Sequence, residues 1–213
     1  MLIIGHRGYR KAYAGNTIPA FQAAIDLGVD GLETDLRITR DDKLILFHDR
    51  NIDDMLVKEL TYDELTAAVG RPVPLARDAL DRMDGVLWNL EIKTPAAVDA
   101  SLELIKDCLG RRKLLVTSFW HPTVERIRSE LEVDCGAIIS NRPLHNLDFQ
   151  RFPDFGIETI VWNYECVDDD TLSRSGAAGI TNLTYNVRVR SEHQDAISRD
   201  FAGVITDHPE YCV

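Results

Sequence analysis

The chain has 213 residues, and 35 acidic against 24 basic side chains give it a formal net charge of -11. Nucleic acids and anionic membranes select basic surfaces, so a chain this acidic is a poor candidate for either. Hydrophobic residues make up 45%, and no apolar run approaches the roughly 20 residues that cross a bilayer, so a globular protein without a membrane span is expected. The start, Met1-Leu2-Ile3-Ile4-Gly5-His6, has no basic segment followed by an apolar one, so no signal peptide and a cytoplasmic location are expected. Cys108, Cys135, Cys166 and Cys212 are scattered without a Cys-x-x-Cys pair and read as reduced thiols, with Cys212 the most exposed.

Along the chain, short β-branched segments alternate with helical ones. Strands are predicted at Leu2–Gly5, Gly31–Leu36, Val86–Ile92, Lys113–Ser118, Asp134–Ile139, Thr159–Trp162, Gly179–Tyr185 and Gly203–Thr206. Asn16 or Thr17 caps a helix over Ile18–Leu27. Pro95 starts one that runs towards Leu109, His121-Pro122 opens another ending near Leu131, and Asp168–Ser175 and Ser191–Arg199 supply two more. A repeated strand–helix order favours a parallel sheet with helical crossovers, and eight repeats point to a compact (β/α)8 TIM barrel filling residues 1–213 as one domain. One interruption is visible. Thr39-Arg40-Asp41-Asp42-Lys43 reads as a turn joining Glu33–Leu36 to Lys43–Phe47. The polar stretch from Asp49 to Met83, helical near Tyr62–Val69 and Leu75–Met83, reads as an insertion over the C-terminal mouth. No Gly-x-Gly-x-x-Gly or Walker loop follows a strand, which argues against a dinucleotide or nucleoside triphosphate site.

Four short strings carry the chemistry: His6-Arg7-Gly8, Glu33-Thr34-Asp35, His48-Asp49 and Glu91-Ile92-Lys93. Each falls at or just after a predicted strand end. Side chains alternate along a strand, so Glu33 and Asp35 share a face, as do Glu91 and Lys93, and as do Leu2, Ile4 and His6. If those faces point into the barrel, the polar groups converge at its C-terminal end, where active sites of this fold sit. Three carboxylates in one cavity repel each other unless a counter-charge joins them. One divalent cation removes the problem, and oxygen-only ligation suits Mg²⁺ or Ca²⁺, or Mn²⁺, better than Zn²⁺. Two imidazoles, His6 and His48, flank the cluster as candidate proton-transfer groups, and Arg7 and Lys93 suit an anionic substrate. His121, His145, His193 and His208 fall on loops or helix starts and are assigned no role.

At these residues the chain resembles the glycerophosphodiester phosphodiesterases. The match is densest from Asn16-Thr17 to His48-Asp49, through Ala20-Phe21, Ala24, Gly28, Asp30-Gly31, Glu33, Asp35, Thr39 and Asp41. Ser118-Phe119 and the closing Gly203-Val204-Ile205-Thr206-Asp207-His208-Pro209 extend it over nearly the whole chain. The resemblance implies a (β/α)8 barrel that cleaves a small-molecule glycerophosphodiester to sn-glycerol 3-phosphate and an alcohol. It implies Glu33, Asp35 and Glu91 on the metal, His6 and His48 as the acid–base pair, and Arg7, Lys93, Asn16 and Tyr185 on the substrate. It also implies a glycerol hydroxyl as internal nucleophile and a cyclic phosphate that is then hydrolysed. Two departures stand out. Gly15 replaces the acidic residue of the family's Pro-Glu-Asn-Thr, and the segment after His48-Asp49 is shortened. They leave open a phosphodiesterase for a larger lipid, of lysophospholipase D or sphingomyelinase D type, or a barrel that binds without turnover. The oligomeric state, the physiological metal and the alcohol group are not legible.

Overall fold

Eight parallel strands close on themselves in a computed structural model that describes residues 1–144, 147–199 and 201–212; His145 lies outside the described residues. The strands are β1 (Leu2–His6), β2 (Gly31–Ile38), β3 (Leu87–Ile92), β4 (Lys113–Ser118), β5 (Asp134–Ile139), β6 (Thr159–Asn163), β7 (Thr181–Tyr185) and β8 (Gly203–Thr206). Each pairs in parallel with the next, and β8 returns to β1 through Leu2 opposite Gly203 and Gly5 opposite Thr206. The barrel is therefore sealed through the stretch where the family motifs are weakest.

The strands' alternation sorts side chains into two cores. Inward, Ile4, Leu115, Ile138, Val161, Leu183 and Ile205 fill the barrel. Outward, Leu32, Leu36, Trp88, Leu90, Ile92, Leu114 and Val116 meet the helical ring. That ring contains α1 (Ile18–Asp26) after β1. The hydroxyl of Thr17 caps it by accepting from the Ala20 N–H, and Pro19 sits in its first turn. Phe21 of α1 is fully buried and meets Trp88 edge to face, with ring centroids 5.2 Å apart.

Between β2 and β3 lies the interruption. A short strand, Leu44–Leu46, pairs antiparallel with the end of β2, as the turn residues predict. It leads to α2 (Tyr62–Val69), which Thr61 and Glu64 close with a capping box and Gly70 ends in a left-handed conformation. Ile45, Phe47, Val57, Leu60, Leu65 and Val73 give this segment a small core of its own. One expectation changes. The helix near Leu75–Met83, α3 (Ala76–Arg82), does not belong to the insertion: Ala76, Ala79, Leu80 and Met83 join the main core with Trp88 and Leu104, so α3 is a member of the barrel's ring. Of residues 44–83, His48 lines the central cavity, and Phe47, Asp49, Arg50, Leu56, Val57, Lys58 and Arg71 line cavities that share residues with it.

The remaining ring is α4 (Val98–Cys108), α5 (His121–Glu130), α6 (Asp169–Ala177) and α7 (Arg190–Ser198). Two 3-10 turns, Phe149–Arg151 and Pro153–Phe155, stand where a helix would follow β5. Cys108 and Cys135 are buried, and Cys166 and Cys212 are partly exposed; all four are free. No helix among the described residues is long and apolar enough to cross a membrane. Because Phe21 locks α1 onto β3, Phe21→Ala is expected to lower the unfolding free energy by about 3–5 kcal/mol in urea titration. A loss below about 1 kcal/mol would show that this contact is not a core anchor.

Candidate active site

Strand register brings the polar groups together. His6 lies opposite Glu33 across β1 and β2, and Asp35 lies opposite Glu91 across β2 and β3. Because Leu32, Thr34 and Leu36 take the outward face, Glu33 and Asp35 must point in, and all three carboxylates are buried at the C-terminal end of the barrel. One oxygen from each lies within 4.8 Å of one from each of the others.

Two cations stand among them. Arg7 Nε is 3.1 Å from Asp35 Oδ2, an ion pair without hydrogen-bond alignment, while the backbone N–H of Arg7 donates to Glu33 Oε2 at 2.9 Å. Lys93 Nζ is 2.6 Å from Glu91 Oε1 and 3.3 Å from Asp35 Oδ1. The turn that delivers Arg7 is unusual. Arg7 has φ +55° and Gly8 φ +79°, left-handed values that cost a non-glycine residue of order 1–3 kcal/mol. Gly8 is required there, since a Cβ would sit 2.5 Å from the carbonyl carbon of Ala20.

The charges do not balance: three carboxylates face two cations. Burial, then the neighbouring Asp35 and Glu91, pushes the Glu33 carboxyl well above its ordinary value. Burial and Asp35 also raise Glu91, against the pull of Lys93. Burial works against ionisation of Asp35 too, but Arg7 and Lys93 outweigh it and hold its carboxyl below the usual range. Glu33 Oε1 is buried without a partner, whereas Asp35 Oδ1 and Glu91 Oε1 both face the single ammonium of Lys93. Three buried carboxylates, brought together with only two cations among them and mutually repelling, fit a hard divalent cation.

Each histidine is oriented by a carboxylate. His6 Nδ1 is 2.6 Å from Asp207 Oδ1, leaving Nε2 on the cavity side, 3.8 Å from Glu33 Oε2. His48 Nδ1 is 2.8 Å from Asp49 Oδ1. Burial lowers the pKa of both imidazoles, and Asp207 for His6, and Asp35 with Asp49 for His48, restore part of it. Asp207 itself is resisted by burial but held down to about 2 by its hydrogen bond to His6 and by the charges of His6, Arg10 and Arg7. Arg10 Nη1 donates to Asp207 Oδ2 at 3.0 Å. Its stem occupies the space beside Gly15, where a Cβ would come within 3.3 Å of Arg10 Cγ and 3.1 Å of Arg7 Cβ. A larger residue at position 15 would crowd both arginines.

Asn16 is buried at the end of β2; its Nδ2 donates to Asp35 Oδ2 at 2.7 Å and its Oδ1 accepts from the Thr34 hydroxyl at 2.7 Å. Tyr185 lines the cavity, its ring 6.3 Å from that of Phe119 in an edge-to-face pair. The cavity holds about 450 Å³ and is walled by Phe119, Ile138, Val161 and Tyr185 on one side and by the charged groups on the other. His121 and His193 spend their imidazoles on internal bonds, and His208 pairs with Glu210. Sequence reasoning missed Asp207, Arg10 and Phe119. Asp207 lies in the closing Thr206-Asp207 motif and Phe119 in Ser118-Phe119, so both carried a signal; nothing about Arg10 marked it.

Comparison with known proteins gives the family and the fold. A sequence model of the glycerophosphoryl diester phosphodiesterase family matches residues 6–211, and the chain belongs to that family. A glycerophosphodiester phosphodiesterase of Caldanaerobacter subterraneus is 25% identical, covering 98% of this chain and 95% of the relative. The crystal structure of the Thermotoga maritima glycerophosphodiester phosphodiesterase superimposes with a TM-score of 0.82 at 23% identity, over 99% of this chain and 96% of the other. A phosphodiesterase of Oleispira antarctica, solved in complex with the product sn-glycerol-3-phosphate, gives a TM-score of 0.87 at 20% identity over 99% and 94%.

The raised carboxyls predict a pH dependence. Glu33 and Glu91 bind protons more tightly folded than unfolded, so their contribution is present below the ordinary value of 4.5 and is lost as pH rises through the folded values. The melting temperature of chelator-treated protein should therefore fall between pH 5 and neutrality more steeply than that of protein saturated with Mg²⁺ or Ca²⁺. In Glu33→Gln, which keeps an acceptor for the Arg7 N–H, the chelated protein should melt some 2–4 °C higher at neutral pH for each kcal/mol of repulsion removed. Calorimetry on the two proteins, with and without metal, checks both; parallel pH curves would contradict them.

Proposed function

We propose that this phosphodiesterase hydrolyses glycerophosphodiesters to sn-glycerol 3-phosphate and an alcohol, with one divalent cation, Mg²⁺, Ca²⁺ or Mn²⁺, on Glu33, Asp35 and Glu91. The observation that carries the reading is the buried cluster of three carboxylates with only two cations among them, beside two imidazoles that each have Nδ1 held by a carboxylate. The family match and the product-bound structural neighbour support it. The cation, when bound, supplies Lewis-acid stabilisation of the phosphoryl oxygens.

The protein's own groups divide the remaining work. Arg7 and Lys93 keep fixed positive charge beside the phosphate position. With Nδ1–H donated to Asp207 or Asp49, each imidazole keeps Nε2 as its free nitrogen, the tautomer that accepts a proton from an attacking hydroxyl. One histidine takes that proton while the other, protonated, gives one to the leaving alcohol. A glycerol hydroxyl as attacking group gives a cyclic phosphate, which water then opens with the roles reversed. Phe119 and Tyr185 offer the glycerol an apolar wall, and Asn16 acts by fixing Asp35 rather than by reaching substrate. The cavity of about 450 Å³ suits a small diester better than a lipid.

Glycerophosphocholine with Mg²⁺ or Ca²⁺ is expected to yield choline and sn-glycerol 3-phosphate, and chelation to abolish the reaction. His6→Ala and His48→Ala should each lower kcat roughly 10²- to 10⁴-fold with folding retained; normal turnover in either would remove that residue from the mechanism. Asp207→Asn takes away a group that raises the His6 pKa, so the limb of the kcat/KM profile set by His6 should move to lower pH. An unmoved limb would show that Asp207 does not position His6.

A further inference from the structure

A second cleft adjoins the active site and has the opposite charge character to the rest of the chain. It holds about 480 Å³ between the ends of β2, β3 and β4 and the flanking insertion, and it shares Lys93 with the central cavity. Arg37, Arg50, Lys58 and Lys93 line it together with Thr94 and Trp120, and no carboxylate does. Among the described residues Arg37, Arg50 and Lys58 have no carboxylate within 4.0 Å, although the charges of Asp35, Glu91 and Asp49 reach Arg37, and Lys93 is paired with Glu91 and Asp35, in a protein whose net charge is -11. Arg37 is further constrained: Nε donates to the backbone carbonyl of His48 at 2.9 Å, and its Nη groups donate to no protein acceptor among the described residues. Trp120 shows over half its surface to solvent at the rim.

We infer that this cleft is an anion-accepting subsite for the alcohol half of the substrate, an inference that rests on the hydrolase reading above. The central cavity already offers its Phe119–Tyr185 wall to one half of the diester. With the scissile phosphate beside Lys93, which lines both cavities, the other half of the diester can extend past it to the Arg37 side. Arg37, Arg50 and Lys58, which have no carboxylate within ion-pair distance among the described residues, match an alcohol that carries its own negative charge, and the exposed indole matches a ring or polyol that can lie flat on it. The substrate class is a glycerophosphodiester whose alcohol is a phosphorylated polyol.

The test compares glycerophosphoinositol 4-phosphate with glycerophosphoinositol, which differ only in the second phosphate, and runs glycerophosphocholine alongside. The phosphorylated diester is expected to show kcat/KM higher by about tenfold at low ionic strength, the size of a few partly exposed ion pairs, and to lose that preference as salt screens them. Arg50→Ala and Lys58→Ala, both at exposed positions, should bring the ratio of the two inositol diesters towards one. A ratio near one in the unaltered protein, or a preference that survives in the double variant, would overturn the subsite while leaving the hydrolase intact. Failure to turn over any of the three diesters, the choline one included, would overturn the hydrolase reading and the subsite with it.

Discussion

Three carboxylates withdrawn from water at one end of a barrel cannot all keep their charge unless cations stand among them, and the rest of this site is organised around that constraint. Arg7 and Lys93 meet part of it through Asp35, which ionises readily despite burial. Glu33 and Glu91 are left with raised pKa values, Glu33 Oε1 with no partner and Glu91 sharing Lys93 with Asp35. A buried carboxylate that lacks a partner destabilises the fold, so the cluster makes physical sense as a receptor for a further positive charge. The protein accepts left-handed backbone at Arg7 to place one cation there, and it uses Asn16 to hold the carboxylate that both cations share.

The barrel is what makes such a cluster possible. Parallel strands in register set Asp35 beside Glu91 and His6 beside Glu33, so side chains distant in sequence meet at fixed spacing on rigid backbone. The same closure brings Thr206 beside Gly5 and hence Asp207 to His6. A hydrogen-bonded series then runs from Arg10 through Asp207 to His6, and Gly15 leaves room for the first member. Position 15, where the family carries an acid, is thus linked here to the histidine through an arginine. The second imidazole is held differently, by its sequence neighbour Asp49 and by Arg37 on its carbonyl.

Much of this was legible in the sequence because it depends on local rules. Strand alternation separates Glu33 and Asp35 from Thr34, and turn chemistry at Thr39–Lys43 announces the hairpin; every predicted strand lies within two residues of its observed ends. What escaped depends on long-range packing. The spacing of Ala76, Ala79, Leu80 and Met83 serves a ring helix as well as a capping one, and only the contacts with Trp88 and Leu104 decide. The partnership of His6 with Asp207 spans 201 positions and needs barrel closure to exist. Arg10 gave no signal at all, since an arginine in a turn is ordinarily a solvated one. The acidic overall charge likewise hid a cleft whose charged lining is wholly basic.

The central claim is that Glu33, Asp35 and Glu91 share one divalent cation. The most direct measurement is an anomalous difference map from crystals grown with Mn²⁺. A single strong peak is expected among the three carboxylates, within coordination distance of one oxygen from each and between the two imidazoles. A map with no peak there, or with manganese bound elsewhere while Lys93 and Arg7 keep the carboxylates to themselves, would contradict the account.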